Sequence, residues 1–343
     1  MNIIFYLTIL ILSYYLTLRV RRYALNNLMD MPNHRSSHSI PTPRGGGVAF
    51  VTAYYLGLLI LLGLKQISLE TGLISLAALP IVFVSWIDDH QHVPIKYRIV
   101  VQATSTLCMI LFATEDLLKY LARIDVLVAG FFLVMVMLVI IWFINLYNFM
   151  DGIDALAGME FVSIMLGIVC TLLILGENGL HDSDTLDIAQ LGLASVLGFL
   201  ILNWPPAKIF MGDVGSNFLG YLVAAMAVTT IVQHQLNVST WLILPAVFWI
   251  DATLTLARRI GQGQPFYKAH RNHAYQHAAL YFQSHEKVSL AITLINILYL
   301  LPLAILSEIY SWLAAVFVAL AYIPLLLLAV RFNAGIMHNK SPE

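Results

Sequence analysis

Long apolar runs alternate with short polar stretches along the whole chain. Eleven such runs, at roughly 2–18, 46–64, 70–87, 99–113, 127–146, 155–175, 188–203, 216–233, 239–257, 288–306 and 309–330, approach the ~20 residues that a helix needs to cross a bilayer core. A strand of a membrane barrel would instead alternate over about ten residues, whereas Phe131 to Ile144 is continuously apolar. The pattern predicts an all-α fold, a polytopic membrane helical bundle with about eleven transmembrane helices.

Composition agrees and charge adds an orientation. Of 343 residues 60% are hydrophobic and 11% charged, with a mean hydropathy of +0.82, which leaves too little polar surface to cover a water-soluble globule. The net charge of −1 is uninformative; its distribution is not. Threading eleven helices with Arg19, Arg21 and Arg22 in the cytoplasm puts 15 of the 18 Lys and Arg inside, leaving Lys65, Lys119 and Arg123 outside. That asymmetry predicts N-terminus out and C-terminus in. Positive charge follows the first run and no small-residue cleavage site appears, so the run is read as retained and not as a signal peptide. Cys108 and Cys170 lie in predicted helices and are read as small core residues. The longest polar stretch, Arg258 to Lys287, is too short for an appended domain, and no internal repeat is visible. One integral-membrane domain over 1–343 is expected, its site built from cytoplasmic loops at about 19–45, 88–98, 146–156, 203–216 and 258–287. The outward loops, carrying Glu115, Asp116, Glu177, Asp182, Asp184 and Asp187, are read as merely solvated.

Four polar stretches carry the candidate chemistry. Asp88 and Asp89 end the third run, where adjacent carboxylates at membrane depth call for a cation, a proton or a basic neighbour; Lys96 and Arg98 follow. Asn145, Asn148, Asp151 and Asp154 recur every three residues, so successive members neighbour one another on a helix. Asp213 stands between Gly212 and Gly215 at the start of the eighth run, either as a plain cap or as a metal ligand beside a phosphate-binding helix N-terminus. His270, His273 and His277 would share one face if helical; with Lys268 and Arg271 they are read as phosphate contacts, zinc and a solvated loop being the alternatives. Asp251, inside the ninth run, is either functional or in a buried pair with an Arg such as Arg258 or a neighbouring-helix donor. The carboxylates taken as catalytic are Asp88, Asp89, Asp151 and Asp213, and the phosphate-binding set is Arg98, Lys268, Arg271 and His273.

In PNHRSSHSIPTPRGGG at 32–47, the Asp pair at 88–89, NFMDGIDALA at 148–157, NWPPAKIFMGDVGS at 203–216 and HRNHAYQH at 270–277, the chain resembles the polyprenyl-phosphate N-acetylhexosamine-1-phosphate transferases. The His-containing loop looks most like the branch that initiates O-antigen and enterobacterial antigen synthesis. The resemblance implies transfer of a sugar-1-phosphate from a UDP-N-acetylhexosamine, or a deoxy derivative, to undecaprenyl or another polyprenyl phosphate. UMP would be released, Mg2+ required with Mn2+ as a substitute, and the product would open a lipid-linked surface-polysaccharide pathway. It implies that Asp213 ligands the metal with Asn148, and that Asp88 and Asp89 lie beside the lipid phosphate with Arg98. Asp154, Asn203 and Phe210 would line a uridine pocket, while Arg271 and His273 would contact the diphosphate or sugar. It further implies a cytoplasmic (inner) membrane location with the site facing the cytoplasm, a homodimer, and no nucleic-acid partner. Two departures stand out: Arg98 replaces the Lys of several relatives, and single histidines replace consecutive ones. The rival reading is a secondary transporter of an anionic or nucleotide-linked solute, which would place its site near the bilayer midplane on broken helices.

Overall fold

The computed structural model describes residues 3–32, 40–113, 125–176, 183–264 and 270–336. Each predicted run falls on a helix or a helix pair: α1 (Ile3–Asn27), α2 (Gly47–Gly63), α3 (Leu69–Leu76) with α4 (Leu79–His90), α5 (Ile95–Phe112), α6 (Val126–Phe149), α7 (Leu156–Leu175), α8 (Ser183–Asn203) and α9 (Asp213–Val232). The series continues with α10 (Val238–Ile243) and α11 (Ala246–Gly261), a short α12 (Ala274–Phe282) in the polar stretch, α13 (His285–Ile295) with α14 (Leu301–Ile309), and α15 (Ala314–Arg331). Among the described residues nine helical spans are long and apolar enough to cross a membrane. The two remaining runs fall on α2 and on the broken pair α10 and α11. The strands among the described residues, β1 (Met29–Asp30) and β2 (Thr42–Pro43), form a two-residue antiparallel ladder that closes the loop before α2.

Proline explains the breaks. It lacks an N–H and its ring clashes with the carbonyl four residues earlier. Pro80 thus ends α3 at Leu76, and Pro245 ends α10 at Ile243. Pro302 follows a π-turn at Asn296–Leu300 that joins α13 to α14. Helix starts use side-chain acceptors for their free N–H groups: Ser68 accepts from Thr71 N at 3.1 Å, Asp125 from Leu127 N at 2.8 Å, and Ser284 from Lys287 N at 3.2 Å.

At the centre is α9, packed on α2, α4 and α6. In its apolar window 78% of residues are buried, against 17% in α1, α6 and α15, whose outer faces are left for lipid. The ends of the helices fall into two groups. At one end Asp184 accepts from Ser68 N and Thr71 Oγ1, both at 2.8 Å, Asp187 accepts from the Tyr6 hydroxyl, and Glu308 accepts from Asn237 N at 2.6 Å. Asp184 and Asp187 therefore tie helix ends together and are not merely solvated, a correction to the sequence reading; Glu115, Asp116, Glu177 and Asp182 lie outside the described residues. The other end gathers the C-termini of α4, α6 and α8 with the N-termini of α5, α7 and α9.

Two buried contacts reach from the last helices to that second end. Glu160, 1% exposed within α7, accepts from Asn296 Nδ2 at 2.6 Å, at the first residue of the π-turn. No motif in the sequence marks Glu160, a carboxylate that is costly at membrane depth unless it has such a donor. Tyr275 on α12 donates its hydroxyl to Phe149 O at 3.0 Å and sits over Gly152, where an added Cβ would lie 2.0 Å from that oxygen. The glycine is what lets α12 lie on the turn after α6.

Asn296→Leu is expected to destabilise by roughly 2 kcal/mol or more, the cost of leaving a buried acceptor without its donor, whereas Glu160→Gln is tolerated; thermal unfolding in detergent measures both. Gly152→Ala is expected to lower the melting temperature by pushing α12 away, and a Gly152→Ala, Tyr275→Phe double variant to recover part of it. Non-recovery would mean that the hydroxyl is not the obstacle.

Candidate active site

The site is built on the first turn of α9. Gly212, at φ 79°, precedes the helix, and Asp213 is its first residue. The buried carboxylate of Asp89, from the end of α4, accepts from Asp213 N at 3.1 Å and Val214 N at 3.3 Å. This helix N-terminus, which the sequence suggested for phosphate, is thus occupied by the chain's own carboxylate. Arg44 Nη2 donates to the backbone carbonyl of Asp89 at 2.5 Å. The glycine run that follows Arg44 runs against the same segment: Gly46 N donates to Phe210 O at 2.9 Å and Gly47 N to Met211 O at 2.8 Å. A Cβ on Gly47 would lie 2.3 Å from Gly215 N, so only glycine allows this approach.

Asp88 points elsewhere. Its carboxylate accepts from Val93 N at 2.8 Å and from Arg98 Nη1 at 2.6 Å, while Arg98 Nη2 lies 3.5 Å from Asp213 Oδ2. Asn148 Nδ2 donates to Asp213 Oδ1 at 3.1 Å and to Ser216 Oγ at 2.8 Å. Asp88, Arg98, Asp213 and Asn148 are therefore one connected cluster, with Asp89 joined through backbone. Of the Asn-Asp ladder, Asn145 is spent inside the bundle, donating to Gln102 Oε1 and Ile141 O at 2.7 Å. Asp151 lies in the turn after α6, where burial first, then the negative charges of Asp213, Asp89 and Asp154, push its carboxyl well above the usual range.

Asp154 and Asn203 hold the adjoining wall. Asp154 Oδ2 accepts from Ala207 N at 3.0 Å, and its Oδ1 lies 3.2 Å from His285 Nδ1. Asn203 accepts from Ala155 N at 3.0 Å and donates to Ile209 O at 2.9 Å, pinning the left-handed Ala155 (φ 62°). Phe210, at the end of the loop that Asp154 and Asn203 hold through Ala207 and Ile209, donates its N–H to Pro43 O at 2.8 Å. No sequence signal singles out His285, the first residue of α13; Arg44 was visible only as part of the Pro-Arg-Gly run.

The cationic loop is arranged differently from expectation. Since α12 begins at Ala274, only His277 of the three histidines is helical; its Nδ1 lies 2.8 Å from Phe332 O. His273 is 3% exposed and turned onto Asp251, Nδ1 to Oδ1 at 3.4 Å. Asp251 also accepts from Ala274 N and Tyr275 N, both at 2.9 Å, so it caps α12. Arg258 is not its partner and instead donates to Ala334 O at 2.8 Å. Burial first, then His273 and Arg259, lowers the His270 imidazole to about 3, leaving it neutral at pH 7. Arg271 is half-buried, and its Nε is enclosed without a hydrogen-bond partner among the described residues. Lys268 lies outside the described residues.

His273 faces Asp251 and His277 faces Phe332 O, so the shared face that three helical histidines would present does not form. The groups beside Asp213 are instead carboxylates and the Asn148 side-chain amide, crowded with negative charge. That chemistry fits a hard cation which takes one or two protein carboxylates and completes its shell with phosphate oxygens and water.

Comparison with known proteins agrees with this geometry. The family model described as glycosyl transferase family 4 matches residues 71–231, from α3 to the end of α9. That segment carries Asp88, Asp89, Arg98, Asn148, Asp151, Asp154, Asn203, Phe210 and Asp213. A Bacillus subtilis protein named "Probable undecaprenyl-phosphate N-acetylglucosaminyl 1-phosphate transferase" is 27% identical over 306 residues, 86% of this chain and 82% of its own length. A Thermotoga petrophila phospho-N-acetylmuramoyl-pentapeptide-transferase is 26% identical over 82% of this chain and 88% of its own. The undecaprenyl-phosphate alpha-N-acetylglucosaminyl 1-phosphate transferase of Salmonella typhi is 29% identical over 72% and 67%. The matched segment, the relatives that span most of the chain, and the residues gathered around Asp213 support the same family: the chain is similar to glycosyl transferase family 4, and within it to the polyprenyl-phosphate N-acetylhexosamine-1-phosphate transferases.

Proposed function

We propose that this protein transfers an N-acetylhexosamine-1-phosphate from its UDP-linked form to a polyprenyl phosphate, releasing UMP, at the cytoplasmic face of a cell membrane. The observation that carries the reading is the cluster of Asp88, Arg98, Asp213 and Asn148, with Asp151 beside it, at one end of a bundle of apolar helices. The 15 to 3 division of basic residues supports cytoplasmic exposure of that end. A secondary transporter would carry its polar residues near the bilayer midplane; here they gather at helix ends.

The acceptor phosphate, with a second pKa of roughly 6, is largely ionised near neutral pH and is itself the nucleophile. Its oxygen attacks the sugar-bearing phosphorus of the donor, the bond to the bridging oxygen breaks, and that oxygen leaves on UMP. One phosphoanhydride replaces another, so the reaction is reversible. The harder problem is to bring anions together, and positioning with charge stabilisation dominates phosphoryl transfer. Arg98, oriented by Asp88 and within reach of Asp213, is placed to turn from carboxylate to phosphate. The enclosed Nε of Arg271, without a hydrogen-bond partner among the described residues, supplies a second donor. Asp154, Asn203 and Phe210 shape the wall on which the nucleotide rests. Asp213, with Asn148, would hold Mg2+, which supplies charge neutralisation of the diphosphate when bound.

With undecaprenyl phosphate and UDP-N-acetylglucosamine, UMP release is expected in Mg2+ and none in excess chelator. Asp213→Asn is expected to abolish release in a protein that still folds. Arg98→Gln should lower it about 100-fold or more, on the scale of losing one preorganised charge-stabilising donor, and Arg98→Lys less. Solute flux into liposomes without UMP would reverse the assignment. The raised carboxyl of Asp151 gives a pH-dependent test. A native state that holds the proton more tightly than the unfolded chain loses stability as pH rises through the ordinary carboxyl range towards the native value. In chelator, Asp151→Asn should therefore raise the melting temperature more at pH 8 than at pH 5, and in Mg2+ it should lower transfer; an equal gain in melting temperature at both pH values would remove the charge conflict.

A further inference from the structure

A cavity of about 480 Å3 lies among α11, α12, α13 and α15. Val247, Ile250, Ile292, Leu325 and Leu328 make its walls apolar, and Asp251 and Lys287 are the charged residues that line it. Asp251 is already committed to the amides of Ala274 and Tyr275. Lys287 is exposed, with the exposed Glu286 before it in sequence. Arg331, also exposed, ends α15 one residue before the lining residue Phe332. Both cations stand at the end of the bundle that holds the site, because α13 starts at His285, whose ring meets Asp154.

An apolar slot between spanning helices, with Lys287 lining it and Arg331 next to the lining residue Phe332, has the charge pattern of an anionic headgroup site. Left empty, the slot would forfeit the dispersion contacts of its lining, and its volume is within the range of bound small molecules. Its lining comes from α11, α12, α13, α15 and the ends of these helices. None comes from α4, α5, α6 or α9, which carry Asp88, Arg98, Asn148 and Asp213. A headgroup held at Lys287 is therefore separate from the reacting cluster, which points to a resident lipid and not the acceptor.

We propose that this cavity binds an anionic glycerophospholipid of the surrounding bilayer, with an acyl chain among α11, α13 and α15 and the phosphate against Lys287 and Arg331. Ala274, Tyr275 and Ala278 form the α12 wall of the cavity. Because Tyr275 also bonds Phe149 O, the lipid braces α12 against the turn that carries Asp151.

The test is thermal unfolding of the full chain, delipidated in detergent, with added dioleoylphosphatidylglycerol, dioleoylphosphatidylcholine or undecaprenyl phosphate. Phosphatidylglycerol is expected to raise the melting temperature by several degrees, as a ligand of the native state does, and phosphatidylcholine to do far less. The Lys287→Gln, Arg331→Gln double variant should lose that response. Ala291→Phe, which puts a ring into the slot, should lose it with its cations intact. Equal stabilisation by both phospholipids, or an unchanged response in the charge variant, would reduce the cavity to ordinary annular contact and overturn the site. Stabilisation by undecaprenyl phosphate alone, lost with the two cations, would assign the slot to the acceptor and equally overturn it. The readout is melting and not UMP release, so it stands or falls apart from the proposed reaction.

Discussion

A helix begins with N–H groups that have no partner within the helix, and at α9 those groups open into the centre of the bundle. Asp89 satisfies two of them from the end of α4. Much else follows from this contact. Neighbouring side chains on a helix diverge by about 100°, so with Asp89 turned onto α9, Asp88 faces another way and meets Arg98. Asp213, as the first residue of α9, is then carried to the other side of the same guanidinium and to the amide of Asn148. An acidic pair that looks redundant in sequence divides into a carboxylate that locks two helices and one that aims a cation.

The apolar pattern made the helical bundle legible, because membrane-spanning runs announce themselves by length and composition without any knowledge of partners. The polar stretches were legible as a group for the same reason: polar residues at the ends of apolar helices are costly unless they meet something. What stayed hidden is which partner each one meets. Asn145 and Asn148 have the same residue type and share a spacing, yet one bonds Gln102 and the other Asp213. Asp251 and His273 are 22 positions apart in sequence, and nothing local says that they face each other. Glu160 lies one residue past a Gly-Met step in a helix otherwise read as apolar, and its partner Asn296 is reached only through a proline-linked π-turn.

The electrostatics of the cluster runs against stability. The negative charges of Asp213, Asp89 and Asp154 raise the cost of ionising Asp151, and the contacts that Arg98 makes are with Asp88 and Asp213. Such an imbalance is sustained because the frame around it is firm: backbone bonds from Gly46 and Gly47 to Phe210 and Met211, and the Asn203 amide between Ala155 and Ile209. Strain of this kind at a site is characteristic of groups whose ionisation must respond to a ligand.

The two walls around the cluster are anchored by unlike means. Residues 203–211 are stitched to the loop before α2 by three main-chain bonds, and to the start of α7 through the side chains of Asn203 and Asp154. By contrast, α12 rests on the Asp251 carboxylate beneath its first turn and on the phenol of Tyr275 over Gly152. Main-chain stitching tolerates little insertion or exchange, whereas a helix seated on two side chains can be traded for another that keeps the same two footholds. Divergence among relatives would then accumulate as grafts onto a shared chassis, with new recognition arriving on the α12 side while the opposite wall is inherited intact.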